Sequence, residues 1–225
     1  MIVLHGGYLA PFSRPSPRGA YLWGEGPTQL EADRRRHPRA LTAEDLEGRH
    51  YEGETAINDS RPPLSRIWLE PREPEPLPEA VLAILRADLV VLSPGSLYTS
   101  TIPNLLIHEI QEAIQASGVP VLYVANLMTE PGESSGLDLE DHLAAIQAFG
   151  RVGIRAVLAN SSPLPGPVLQ RYLEEGGTPI LAPGASCMGI PVHAVPLLDP
   201  EAQVARHHPT LLNQALRAVI AGLQT

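Results

Sequence analysis

The sequence predicts an α/β fold built on a doubly wound parallel sheet. Three observations point there. Short apolar runs such as Val121–Val124 each fit one buried strand. Between them lie amphipathic stretches with helical spacing and recognisable starts and stops. The alternation of the two makes βαβ units, which force parallel pairing through right-handed crossovers.

The elements follow in order. Pro78–Arg86 reads as a short helix and Leu89–Leu92 as a buried strand. Pro103–Ala116 reads as one amphipathic helix, because Leu106, Ile110 and Ile114 recur every four residues and Gly118 stops it. Val121–Val124 is the next strand. Leu139–Phe149 is a helix with acidic residues in its first turn, where the helix dipole favours them. Ala156–Ala159 is a strand, Pro167–Glu175 a helix opened by proline, and Ile180-Leu181 a strand. Thr210–Leu223 closes the chain as a helix.

Residues 1–76 differ in character. They are rich in Pro, Gly and Arg, with brief apolar runs such as Ile2-Val3-Leu4 and Ile67-Trp68-Leu69, and read as an irregular segment. Pro71–Pro78 reads as an extended, solvated connector. The predicted division is therefore 1–76, irregular, and 77–225, a parallel α/β ligand-binding domain. Arg34-Arg35-Arg36 reads as a solvated face rather than a docking site.

Composition narrows the partners. The chain has 225 residues, 44% of them hydrophobic, which suffices for one good-sized core. Its formal net charge is −9, and every side-chain cation other than histidine is arginine. An acidic surface repels nucleic-acid backbones and anionic membranes, so neither is expected as a partner. No apolar run has the roughly 20 residues of a membrane span, and no signal peptide is evident, so a cytoplasmic location is expected. Cys187 is the single cysteine, which excludes an internal disulfide, and it reads as a small core residue.

In such sheets ligands lie beyond the carboxyl ends of the strands. After the strand at 89–92 comes Ser93-Pro94-Gly95-Ser96-Leu97-Tyr98-Thr99-Ser100. Gly95 permits a tight turn in which successive N–H groups converge on an anion. Ser96, Thr99 and Ser100 add hydroxyls, and the helix that follows adds its positive end. An ordinary hydroxyl-rich strand-to-helix loop fits the same residues. After the strand at 121–124 comes a longer loop, Asn126–Gly136, in which Asn126 and Thr129 face the same crevice in this reading. Glu133, Asp141 and His142 are candidates to hold a metal or move a proton. The plain alternatives are a first-turn helix charge for Asp141 and a partly exposed histidine for His142. The loop Asn160–Pro167 offers further polar groups, stiffened by proline. His207 and His208 point apart and make a poor metal pair. Arg206 is the better ligand group, since a guanidinium grips a phosphate with two prongs. Walker A, dinucleotide-binding, nucleophile-elbow and zinc patterns are all absent. The residues themselves lead to an anion-binding α/β domain.

These loops resemble the gluconeogenesis factor (YvcK-type) family, which is related to 2-phospho-L-lactate transferase (CofD-like). The stretches that carry the resemblance are Ser93–Leu106 and Tyr123–Glu133, followed in order by Asp141-His142-Leu143, Arg171-Tyr172 and Arg206-His207. Gly53–Ile57 and Arg66–Pro71 resemble the family's middle segment, so the likeness runs over about residues 41–220. The resemblance implies a Rossmann-like, cytoplasmic protein that binds a nucleotide sugar such as UDP-N-acetylglucosamine and supports growth and cell shape on gluconeogenic carbon sources. It further implies that Tyr172 and Arg206 contact that ligand and that the loop Gly95, Ser96, Leu97, Tyr98, Thr99, Ser100 lies against it.

The departures carry their own expectations. The family opens with a strand, a Gly-Gly-Gly-Thr-Gly cradle for the diphosphate and an Asp-Asp-Gly-Gly-Ser segment, and His5-Gly6-Gly7 is too short a match. An N-terminally truncated member is expected, lacking the first strand and roughly a hundred residues by usual domain size. The open sheet edge left behind would favour a homodimer. Three readings follow: a nucleotide-sugar-binding regulator that is not an enzyme; a transferase of phosphorus-containing groups, which alone would call for a divalent metal; and a chain that has lost its ligand. No catalytic residue is assigned.

Overall fold

The computed structural model describes residues 2–5, 8–11, 40–59, 64–198, 201 and 203–223. Gly6, Gly7 and the arginine cluster at 34–36 lie outside the described residues.

The main sheet has seven strands: β1 (Ile2–His5), β2 (Tyr8–Pro11), β6 (Val90–Leu92), β7 (Val121–Val124), β8 (Ala156–Asn160), β9 (Ser186–Cys187) and β10 (Ile190–Val195). Their spatial order is β2-β1-β6-β7-β8-β10-β9. The five inner strands are parallel, and β2 and β9 close the edges antiparallel. Alternation along each strand sends residues to two faces. Val90, Leu92, Val121, Tyr123, Val157 and Ala159 build one core, shared with helices α2 (Pro78–Leu85), α3 (Ile102–Leu105), α4 (His108–Ser117) and α5 (Leu139–Gly150). Val91, Leu122, Val124, Ala156 and Leu158 build the other, covered by α7 (Pro209–Leu223). A sheet buried on both faces reads as unbroken apolar runs, the pattern seen in the sequence.

Four expectations need correction. Ile180-Leu181 is not a strand: Pro179 and Pro183 flank it, and Ile180 only donates its N–H to the Leu127 carbonyl. The strand at that side of the sheet is β10, where Pro191 and Pro196 disguise the pattern. The helix expected over 103–116 breaks at Ile107, whose backbone is extended. It is preceded by a single π-helical turn, Leu97–Thr101, and by α3. The break lets α3 tilt onto α5, where Leu105 presses against Gly150: a Cβ there would meet a Leu105 methyl at 2.6 Å.

The N-terminal segment also carries more structure than its composition suggested. A second sheet, β4-β3-β5, joins β3 (Ala40–Asp45), β4 (His50–Glu52) and β5 (Leu64–Glu70), with the short α1 (Glu54–Asn58) between. Buried Asp45 ties its hairpin by accepting from the N–H groups of Glu47 and Arg49 and the Tyr51 hydroxyl. Finally, β6 is not an open edge, because Ile2–His5 pairs with it in parallel. Three apolar residues sufficed for that strand, so the ground for expecting a homodimer through an exposed β6 is removed.

Candidate functional site

The loops that follow β6, β7 and β8, together with residues 196–198 and 203–208, converge at the carboxyl edge of the parallel strands. Their polar groups are largely committed to one another. Asn126, at the end of β7, makes a two-way clamp on Gly95: its Oδ1 accepts from the Gly95 N–H (3.1 Å) and its Nδ2 donates to the Gly95 carbonyl (2.9 Å). Asn160 acts alike at the end of β8, where its Oδ1 accepts from the Leu197 N–H at 3.0 Å. The Ser96 hydroxyl donates to Glu130. Thr129 is buried and forms a reciprocal pair with Thr178, so it does not face the crevice. Leu97 and Tyr98 point into the core, and Tyr98 packs edge-on against Phe149. The Ser100 carbonyl is taken by Asn104.

The converging N–H groups expected for a phosphate are present, and an internal carboxyl fills them. Glu133 Oε1 accepts from the backbone N–H of Tyr98 (2.8 Å) and of Thr99 (2.9 Å), and from the Thr99 hydroxyl at 3.3 Å. Burial, and then the nearby Glu130, push the Glu133 carboxyl from its ordinary 4.5 up to about 7, although the Thr99 and Tyr98 donors pull the other way. Glu133 lies too far along the chain for local reasoning to have supplied it as the partner of these N–H groups.

Glu133, Asp141 and His142 do not assemble into a cluster. Asp141 completes a capping box with Asp138 at the start of α5. His142 is fully buried rather than partly exposed, its Nδ1 2.9 Å from the Tyr123 hydroxyl. Burial lowers its pKa to about 4, so the ring is neutral. His207 is lowered to about 4 in the same way, opposed only by the Ala125 carbonyl beside it. Among the described residues no three His, Cys, Asp or Glu side chains come together to hold a metal, and no helix is long and apolar enough to cross a membrane.

Two of the expected residues stand apart from this locked network. Tyr172, on α6 (Gly166–Glu174), is half-buried on a small apolar cluster formed by Leu127, Met128 and Leu198. Ala205 packs on the same cluster, and Arg206 follows it in the chain. Arg171 joins the two segments: its guanidinium lies 5.6 Å from the Tyr172 ring centroid and donates to the Gln203 carbonyl at 2.7 Å. Arg206 is exposed and has no ion-pair partner among the described residues. The bracing role of Arg171 went unread in the sequence, where an arginine on an amphipathic helix carries no distinguishing signal.

Comparison with known proteins agrees with this architecture. The family model described as 2-phospho-L-lactate transferase CofD matches residues 35–198. A Deinococcus radiodurans protein assigned to the gluconeogenesis factors is 42% identical over 183 residues, 80% of this chain and 38% of its own length. The gluconeogenesis factor of Bacillus subtilis is 37% identical over 141 residues, 62% of this chain and 44% of its own. Protein BH3568 of Bacillus halodurans superposes with a TM-score of 0.74 at 32% identity, over 80% of this chain and 58% of that one. The chain thus spans about two fifths of the length of these two relatives. The chain belongs to the CofD family, in its gluconeogenesis factor branch.

Proposed function

We propose that this chain is a regulatory protein of the gluconeogenesis factor group that binds a nucleotide sugar of the UDP-N-acetylglucosamine type in the cytoplasm. The observation that carries the reading is Tyr172 on an apolar cluster that also takes up Ala205, the chain neighbour of the exposed Arg206. An aromatic ring seated on an apolar cluster offers a stacking surface for a base. Arg206, next in the chain to Ala205 of that cluster and without an ion-pair partner among the described residues, offers two-pronged bonds to a diphosphate. With Glu133 in the cradle of the 97–101 turn, the diphosphate is assigned to Arg206, and the 95–100 loop serves as a wall of the site. The role in carbon metabolism and cell shape belongs to the same proposal.

The family model's description favours one second reading, a transferase of phosphorus-containing groups. Equilibrium dialysis against UDP-N-acetylglucosamine with Mg2+, followed by chromatography of the recovered ligand, separates the two. Retention of unaltered ligand is expected. A new phosphorus-containing product would replace the regulatory reading with the transferase one, and absence of retention would contradict the nucleotide-sugar reading.

A further inference from the structure

Glu133 joins two loops, and its two oxygens have unequal surroundings. Oε1 accepts from two backbone N–H groups and a hydroxyl of the 97–101 turn. Oε2 is buried with no hydrogen-bond partner, on a residue only 8% exposed. The groups that face it are acidic or neutral: Glu130 on its own loop, the Tyr98 hydroxyl from the turn and Tyr123 from β7, with Asp141 of α5 acting on Tyr98. Among the described residues no arginine or histidine pairs with it. An ionised carboxylate here keeps its three donors but loses the water around its second oxygen, and it sits against a like charge. A protonated carboxyl keeps an acceptor for the donors and removes the buried charge and its repulsion from Glu130.

We propose that Glu133 is a proton-sensitive latch between the 97–101 turn and the Asn126–Gly136 loop, closed most firmly when Glu133 carries a proton. The sign follows from linkage. Closed, the carboxyl titrates at about 7; opened to water, it returns to its ordinary 4.5. The closed form therefore binds the proton more tightly. Between those two values the open population rises about tenfold per pH unit, and above them it levels off. The same loop carries Leu127 and Met128, on which Tyr172 packs, so the latch reaches the candidate ligand site through packed side chains.

Amide hydrogen exchange resolved by NMR at Tyr98 and Thr99 tests it on the protein alone, from pH 5 to pH 8. Rates are divided by the intrinsic exchange rates to give opening constants, with core amides of β8 as the reference. The opening constants of Tyr98 and Thr99 should rise at least tenfold between pH 5 and 7, relative to β8, and stay flat in Glu133→Gln. Wild-type constants that do not change with pH would overturn the latch, and so would an equal rise in the variant. Should the variant fail to fold, the carboxyl-carbon titration of wild-type Glu133 decides: a midpoint near 7 supports the latch, and one near 4.5 removes it.

Discussion

A single side chain at the end of a strand decides how much of this edge is rigid. Asn126 satisfies both backbone groups of Gly95, and it is only 9% exposed. Removing it leaves a partly buried N–H and carbonyl without partners, at a cost towards the low end of about 1–3 kcal/mol each, since water reaches part of this loop. Asn126→Ala should lower the stability by roughly 2 kcal/mol in urea denaturation; a change under about 0.5 kcal/mol, the usual scatter of surface substitutions, would show that the clamp is redundant. Three buried titrating groups shape the pH dependence. His142 and His207 drop from 6.5 to about 4 on folding, so their contribution is complete above 6.5 and is lost as pH falls towards 4. Glu133 runs the other way, from 4.5 up to about 7, so its contribution is complete below 4.5 and is lost as pH rises to 7. Between 4.5 and 6.5 the two histidines outweigh the one carboxyl. These groups alone place the stability maximum near pH 6.5, with a net slope of roughly 1 kcal/mol per pH unit on the acid side. Denaturation midpoints across pH 5–8 check this, and Glu133→Gln should steepen the acid loss.

At the scale of elements, loops and glycines set the geometry. The Asn126–Gly136 loop passes α1 so closely that a Cβ on Gly132 would lie 2.0 Å from the Asn58 carbonyl oxygen, at a backbone φ of +89°. Gly132→Ala therefore forces backbone apart and strains it in the left-handed region. A loss of about 2 kcal/mol or more is expected in the same denaturation assay, and an unchanged midpoint would place the loop elsewhere. The elements themselves were legible where period and punctuation agreed: β7, α5 and β8 fall where apolar runs and capping residues put them, and Gly118 ends α4 in the left-handed conformation expected of it. The misses share a physical reason. β10 contains Pro191, tolerated because its partner there is Ser186 of the short edge strand β9, and β3–β5 alternate polar with apolar residues over a few positions. Such strands are defined by what they pair with, and pairing is not local.

For the whole molecule, the distinction lies between the residues that build the edge and those left for a ligand. The sequence led to the expectation that these loops lie at the carboxyl end of the parallel strands, and the fold puts them there. Their roles were not legible. Glu133 meets Tyr98 and Thr99 across 35 and 34 positions, and Thr129 meets Thr178 across 49, so only the folded chain reveals that these donors are already used. The proposed function therefore rests the diphosphate on Arg206, which is exposed and has no ion-pair partner among the described residues. Calorimetric titration of the purified chain with UDP-N-acetylglucosamine, alongside Arg206→Ala, tests this most directly. The expected result is saturable binding that weakens about tenfold to a hundredfold in the variant, the usual worth of charge-assisted phosphate bonds. Equal affinity in the two proteins, or no saturable heat from the wild type, would contradict it.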